Sequence, residues 1–304
     1  MERFRDSVMQ TLRLGPRSTT GAKAAGQDRS MGDIIAESCK LSPEQVERIV
    51  AHQQKNGGRF GQAAIALGYA STDDVLHALS LQFDYPYATD EQRKLTPELV
   101  ALNEPFSRQA EAIRAIRSWV MQRVFNEKDT VRRALAVVSP NSGDGKTFVA
   151  ANLAVTLAQL GGRTLLVDAD LRGPRQHEVF NMPSNTGLSG ILSGRTEKRV
   201  VRKVTGVPGL YLLPVGITPP NPLELVERPA FGLLMLELTN KFDHVVVDTT
   251  AAEYGTDATV IAARCGAALV VARKNSSRIG ALQELSEMLG HSPANLAGVI
   301  VNEF

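Results

Sequence analysis

A loop that could hold phosphate stands near the middle of the chain. Residues 134–147 read ALAVVSPNSGDGKT: an apolar strand, a Gly-containing turn, then Gly145-Lys146-Thr147 at the entry to a helix expected from Phe148 to Leu160. Strand, loop and helix in this order form the setting of a phosphate-binding P-loop. The loop amides and the positive end of the helix dipole favour an anion there. The expected nucleotide contacts are Ser142, Gly143, Asp144, Gly145, Lys146, Thr147 and Phe148. Lys146 would reach the outer phosphates, and the Thr147 hydroxyl would ligate Mg²⁺. The first glycine of the usual pattern is replaced by Pro140.

Carboxylates complete the chemistry. Residues 164–172 read TLLVDADLR, a short buried strand ending in Asp168 and Asp170, and residues 244–248 read HVVVD, a second strand ending in Asp248. Ligands of open parallel sheets bind at the carboxyl ends of the strands, so Lys146, Asp168, Asp170 and Asp248 are expected in one crevice. Phosphoryl transfer needs such a set, with a cation and a metal to spread developing charge and carboxylates to hold the metal or orient a nucleophile.

The elements that must position these residues alternate strand and helix from Val131 onward. Strands are expected near 132–139, 164–169, 210–215, 244–249, 267–273 and 297–302. The fold class is α/β, a doubly wound and mostly parallel P-loop sheet, preceded by a small all-helical domain. The expected division is a disordered tail over 1–29, a helical repeat domain over 30–87, a linker over 88–107 rich in proline, and the P-loop domain over 108–304. Arg108 to Val124 reads as an amphipathic helix with Ala112, Ile113, Ile116 and Val120 on one side.

The helical domain repeats with a period of 29 residues: Gly32 matches Gly61, Ser42 matches Ser71, Val46 matches Val75, Val50 matches Leu79, and Gln53 matches Gln82. Ser42-Pro43-Glu44-Gln45 and Ser71-Thr72-Asp73-Asp74 are helix N-terminal boxes. Val46, Ile49, Val50, Val75, Leu76 and Leu79 have helical spacing.

Composition bounds the rest. The chain has 304 residues and a net charge of +2, too little for a strong field toward nucleic acid. Two cysteines, Cys39 and Cys265, lack metal-ligand spacing. No apolar run is long enough to span a bilayer, so with these cysteines a cytoplasmic protein is expected, any membrane role being peripheral or through a partner.

Residues 104–304 resemble the cytoplasmic domain of the bacterial tyrosine kinases (BY-kinases) of polysaccharide export. The resemblance rests on the loop Ser139–Thr147, on Val167–Pro174 with His177 and Phe180, on Leu213–Gly216 and Pro219–Leu225, and on Phe242–Thr249 with Asp257. It implies a protein-tyrosine kinase using ATP and Mg²⁺ to regulate exopolysaccharide polymerisation and chain length. Lys146, Asp168 and Asp170 would be catalytic, Thr147, Asp168 and Asp248 would hold metal, and Asn302 would lie near the base. Glu111, Arg114 and Arg117 resemble the family's subunit-contact motif, which implies a homo-oligomeric ring. A membrane-embedded co-polymerase is the implied partner.

The helical repeat resembles the N-terminal domain of type II secretion and pilus ATPases (MshEN-like). Some of these bind cyclic di-GMP, which would place that ligand at Arg59, Gly61, Gly68 and Gln82. The first copy departs, with Ser30 and Cys39 at the Arg and Gly positions, and a protein-docking module is the alternative. The two-domain pairing resembles the EpsG-type chain-length-determinant kinases. Members usually end in a tyrosine cluster, whereas the five tyrosines here are Tyr69, Tyr85, Tyr87, Tyr211 and Tyr254; Thr250 also replaces the usual proline. A MinD/ParA-like switch ATPase is the rival within the same fold, and Asn141 stands where those proteins carry an extra lysine.

Overall fold

The computed structural model describes residues 30–71, 74, 75, 78, 97–126, 131–195 and 200–303. The expected tail over 1–29, residues 88–96 of the linker, and Leu76, Leu79 and Gln82 lie outside these. The chain divides into two compact units, with the boundary between Tyr87 and Ala88.

The helical unit contains α1 (Met31–Ser38), α2 (Pro43–Asn56) and α3 (Phe60–Ala66). Ser42 caps α2 by accepting from the Gln45 amide, and the Gln45 side chain accepts from the Ser42 amide in return. Ser71 and Asp74 make the same reciprocal box, as do Ser30 and Asp33. Each box satisfies two amides that a helix start leaves without partners. Ile35, Ile49, Ala63, Ala64, Ala70 and Ala78 form the core. Val50, which shares the helical spacing, is 38% exposed. Gly61 is buried where a Cβ would stand 2.7 Å from Val75 Cγ1, so close helix packing requires its glycine.

The second unit is built on a seven-stranded sheet. Its strands are β1 (Ala134–Val138), β2 (Thr164–Asp168), β3 (Arg202–Lys203), β4 (Leu210–Leu213), β5 (His244–Asp248), β6 (Gly266–Arg273) and β7 (Asn295–Asn302). The order is β3-β4-β2-β5-β1-β6-β7, parallel throughout except for β3, a short antiparallel edge with no period-two pattern to announce it. β1, β2 and β5 are buried along their whole length, as strands covered on both faces must be. Alternate residues feed two cores. Ala134, Ala136 and Val138 face one with Val245 and Val247, while Leu135, Val137 and Val246 face the other.

On the second face lie α4 (Val100–Asn103), α5 (Arg108–Arg123) and α6 (Lys146–Ala158). The α5 stripe runs through Ala110, Ile113 and Val120, and the expected Ala112 is exposed instead. Helix α6 begins two residues before the expected Phe148, because left-handed Gly145 ends the loop directly at Lys146. Residues 99–102, expected as linker, are buried against α6. Their anchor is Asn152, fully buried, whose Oδ1 accepts from the Ala101 amide and whose Nδ2 donates to the Glu98 and Phe148 carbonyls. Asn152→Leu leaves those buried groups unpaired, and a loss of about 1–3 kcal/mol of unfolding free energy is expected in urea denaturation.

The helix α7 (Gln176–Val179) packs beside α6, with Val179 in the second core, while the first face carries α8 (Leu188–Leu192), α9 (Pro222–Glu227), α10 (Pro229–Lys241), α11 (Asp257–Cys265) and α12 (Ile279–Gly290). Phe231, Leu234, Met235 and Leu238 of α10 and Ile261 of α11 fill that core.

Candidate functional site

The phosphate loop is shaped by its own side chains. Gly143 and Gly145 adopt left-handed φ values of 79° and 98°, a conformation costly for residues with a Cβ. A Cβ on Gly145 would stand 2.2 Å from Asn302 Nδ2. Asn302, expected near the base, stands at the end of β7 and donates to the Asp144 carbonyl at 3.1 Å, so the last strand buttresses the loop. Asp144 has a structural role of its own. Its side chain is buried and accepts from the Asn141 amide (2.9 Å) and the Ser277 hydroxyl (2.8 Å), so it shapes the loop. Phe148 is half-buried against the second core. Ser142 and Gly143 are exposed at the loop's outer turn, and Lys146 is 6% exposed at the first turn of α6.

The carboxylates meet beside the loop. Asp168 and Asp248 are direct cross-strand partners at the ends of β2 and β5. Asp168 is fully buried and uses both oxygens on backbone amides, Oδ1 on Asp170 and Oδ2 on Gln176. Asp170 Oδ1 accepts from the Arg172 and Gly173 amides and from the Thr250 hydroxyl at 2.8 Å. Asp248 Oδ2 accepts from Gln176 Nε2 at 2.8 Å, while its Oδ1, also buried, has no hydrogen-bond partner.

Burial and mutual repulsion govern the charges. Desolvation, then the neighbouring Asp248, push the Asp168 carboxyl well above the usual carboxylate range. Desolvation pushes Asp248 up to about 6, against the opposing pull of the Lys146 ammonium, Gln176 and the Thr147 hydroxyl. Two carboxylates raised together beside a cation form a site that lacks positive charge.

Four contributors escaped sequence reasoning. Gln176 links Asp168, Asp248 and the Thr147 carbonyl, yet a glutamine after a turn carries no pattern. Ser277 lies in the loop after β6, where the strand-end rule could have pointed to it. Thr250 was visible only as a departure from proline. Glu253 accepts from the Ser142 amide at 2.6 Å, a contact between segments far apart in sequence. Arg172 is fixed by both oxygens of Asp257, at 3.0 and 3.3 Å.

Residues 135–304 match the CobQ/CobB/MinD/ParA nucleotide-binding domain family. The CapB protein of Staphylococcus aureus is 34% identical over 204 residues, covering 66% of this chain and 87% of CapB. The solved kinase domain of the Escherichia coli tyrosine kinase ETK matches with a TM-score of 0.63 and 30% identity, covering 67% of this chain and 79% of that one. The chain belongs to the bacterial tyrosine-protein kinases. Tyrosine-protein kinase wzc of Salmonella typhi is 34% identical over 208 residues, but this chain spans only 28% of it.

In this kinase the motif of α5 is engaged within its own fold. Arg114 pairs with Glu111 at 2.6 Å and donates to the Pro105 carbonyl, and Arg117 donates to the Thr156 carbonyl of α6 at 2.9 Å. Glu111 stays exposed. No helix among the described residues is long and apolar enough to cross a membrane.

Proposed function

We propose that this kinase transfers the γ-phosphoryl group of ATP to tyrosine, in the control of exopolysaccharide polymerisation and chain length. The convergence of the phosphate loop with Asp168, Asp170 and Asp248 carries the proposal. Loop amides and Lys146 hold the phosphates, and Lys146 neutralises charge building on the transferring group. Asp170, oriented by Thr250, is the carboxylate placed to receive the phenolic proton. Asp168 holds the Asp168–Gln176 loop in place through its two amide contacts.

The residues fit Mg²⁺. Asp248 Oδ1 is a buried acceptor with no hydrogen-bond partner, and the Thr147 hydroxyl lies close enough to Asp248 to lower its pKa. Mg²⁺ is characteristically bound by one or two carboxylates plus substrate phosphates, so a complete protein cage is not needed. When bound, the metal supplies charge neutralisation at the phosphates. Asp248 and Thr147 are its proposed ligands, with Asp168 close behind.

A dependence on pH follows. The raised carboxyls favour the folded state when protonated, so the stability they give is full below about pH 4 and lost as pH rises through about 6. Metal binding needs them ionised. The thermal shift produced by Mg-ATP is expected to be larger at about pH 7.5 than at about pH 5.5, as read by differential scanning fluorimetry; equal shifts would contradict the assignment.

A separate membrane co-polymerase is the proposed activator, and a ring of copies the proposed assembly, with exposed Glu111 as its available contact. The helical unit enters as a protein-docking module. A packing role for Gly61 and the outward turn at Gly68 support docking over a cyclic di-GMP site centred on Arg59. The tyrosine-kinase reading is tested by supplying ATP, Mg²⁺ and partner membranes. Phosphotyrosine should form with the wild type and vanish with Lys146→Ala; ATP-driven dimerisation without phosphotyrosine would instead indicate a switch ATPase.

A further inference from the structure

The chain has five tyrosines. Of the three among the described residues, Tyr69 and Tyr211 are half-buried, and Tyr211 packs edge-on against Phe242 with ring centroids 5.4 Å apart. Tyr254 is 55% exposed. It closes a single 3₁₀ turn, Ala252–Tyr254, that follows β5 and Asp248.

That turn is fastened to the phosphate loop at three points. The Ala252 amide donates to the Ser139 carbonyl at 2.9 Å, the Glu253 amide to the Pro140 carbonyl at 3.0 Å, and the Ser142 amide to Glu253 Oε1 at 2.6 Å. A solvent-facing phenol is thus held at the rim of the nucleotide loop in a tyrosine kinase. The backbone contacts keep the turn from swinging over its own crevice without breaking the loop's support. A second copy meets no such restriction.

We infer that Tyr254 is a phosphoacceptor of this chain, modified by the active site of a second copy, and that its phosphate weakens nucleotide binding at the adjoining loop. The inference rests on the tyrosine-kinase reading above. In the transfer, Tyr254 Oη forms a bond to the γ-phosphorus of ATP held by the other copy. The bond from that phosphorus to the β,γ-bridging oxygen breaks, ADP leaves with the electron pair, and the phenolic proton passes to a carboxylate of that site. The product adds about −1.5 to −2 charge next to Glu253 and the loop that must receive the ATP phosphates. Like charges there oppose nucleotide binding. Arg172, whose Nη2 would lie 4.0 Å from a Cβ on Gly255, gives the new phosphate a cation beside the same turn.

The test expresses the full chain from its own locus with its natural partners, followed by phosphotyrosine mapping. Wild type should carry phosphate on Tyr254, and Lys146→Ala alone should carry none. A tagged Lys146→Ala copy expressed beside an untagged Tyr254→Phe copy should regain phosphate on Tyr254. The purified Tyr254→Phe protein should still phosphorylate a random Glu/Tyr copolymer. Phosphotyrosine on other residues or the copolymer with Tyr254 unmodified would overturn the inference and leave the kinase standing. Absence of phosphotyrosine everywhere would remove the kinase reading, and with it the inference. Modification of Lys146→Ala alone would assign Tyr254 to a different kinase. The Tyr254-phosphorylated protein is expected to bind Mg-ATP about fivefold or more weakly by calorimetry, and unchanged affinity would remove the regulatory half.

Discussion

Lys146→Ala is expected to lower phosphotransfer by about a hundredfold or more, the range seen when one preorganised stabiliser of transition-state charge is removed. Lys146 is nearly buried at the first turn of α6, where it is the cation that lowers the Asp248 pKa. Its loss therefore acts twice. The phosphates lose a charge partner, and Asp168 and Asp248 lose the positive neighbour that offsets their repulsion. The fold should survive, because the loop is held by Gly143, Gly145, Asp144 and Asn302 rather than by the Lys146 side chain. A circular dichroism spectrum matching wild type, together with lost ATP binding in calorimetry, is the expected pair of results. Lys146→Arg should not restore activity, since a wider planar fork does not reproduce a compact ammonium in a closed loop.

Asp248→Asn is expected to move stability and activity in opposite directions. Asp248 is buried beside Asp168, and desolvation holds both carboxyls above their ordinary range, with Asp248 adding to the rise at Asp168 and Asp170 to the rise at Asp248. Replacing one charge with a neutral amide relieves that strain in the protein without metal. Each kcal/mol relieved should raise its melting temperature by about 2–4 °C. Magnesium binding loses its best available oxygen, so stabilisation by Mg-ATP should largely disappear and phosphotransfer should fall about a hundredfold. Melting curves with and without Mg-ATP, run beside a phosphotransfer assay, separate the two effects. A variant less stable than wild type in the absence of metal would show that Asp248 serves mainly as a structural acceptor for Gln176.

The strands that carry the site were legible because burial on both faces produces continuous apolar runs. ALAVV, TLLVD and HVVVD each fall where the sheet requires them, the last two with a carboxylate at the end. The glycines of the loop were legible for a related reason, since left-handed backbone selects them. Contacts between distant segments were not. Gln176 reaches Asp248 across 72 residues, and Ser277 reaches Asp144 across 133, with no local periodicity to mark either. The side-chain role of Asp144 was hidden for the same reason: a carboxylate in a loop gives no sign of whether it turns outward or back onto its own amides. Residues 99–102 read as linker because a single helical turn flanked by prolines lacks periodicity, although Asn152 holds them within the α/β unit.

The central claim is that the crevice of Lys146, Asp170 and Asp248 transfers phosphate from ATP to tyrosine. It is tested most directly by incubating the full chain and its partner membranes with Mg²⁺ and ATP carrying ¹⁸O in the γ-phosphate. The account predicts labelled phosphotyrosine, identified by mass spectrometry, that disappears with Lys146→Ala. Label recovered solely as inorganic phosphate would contradict it.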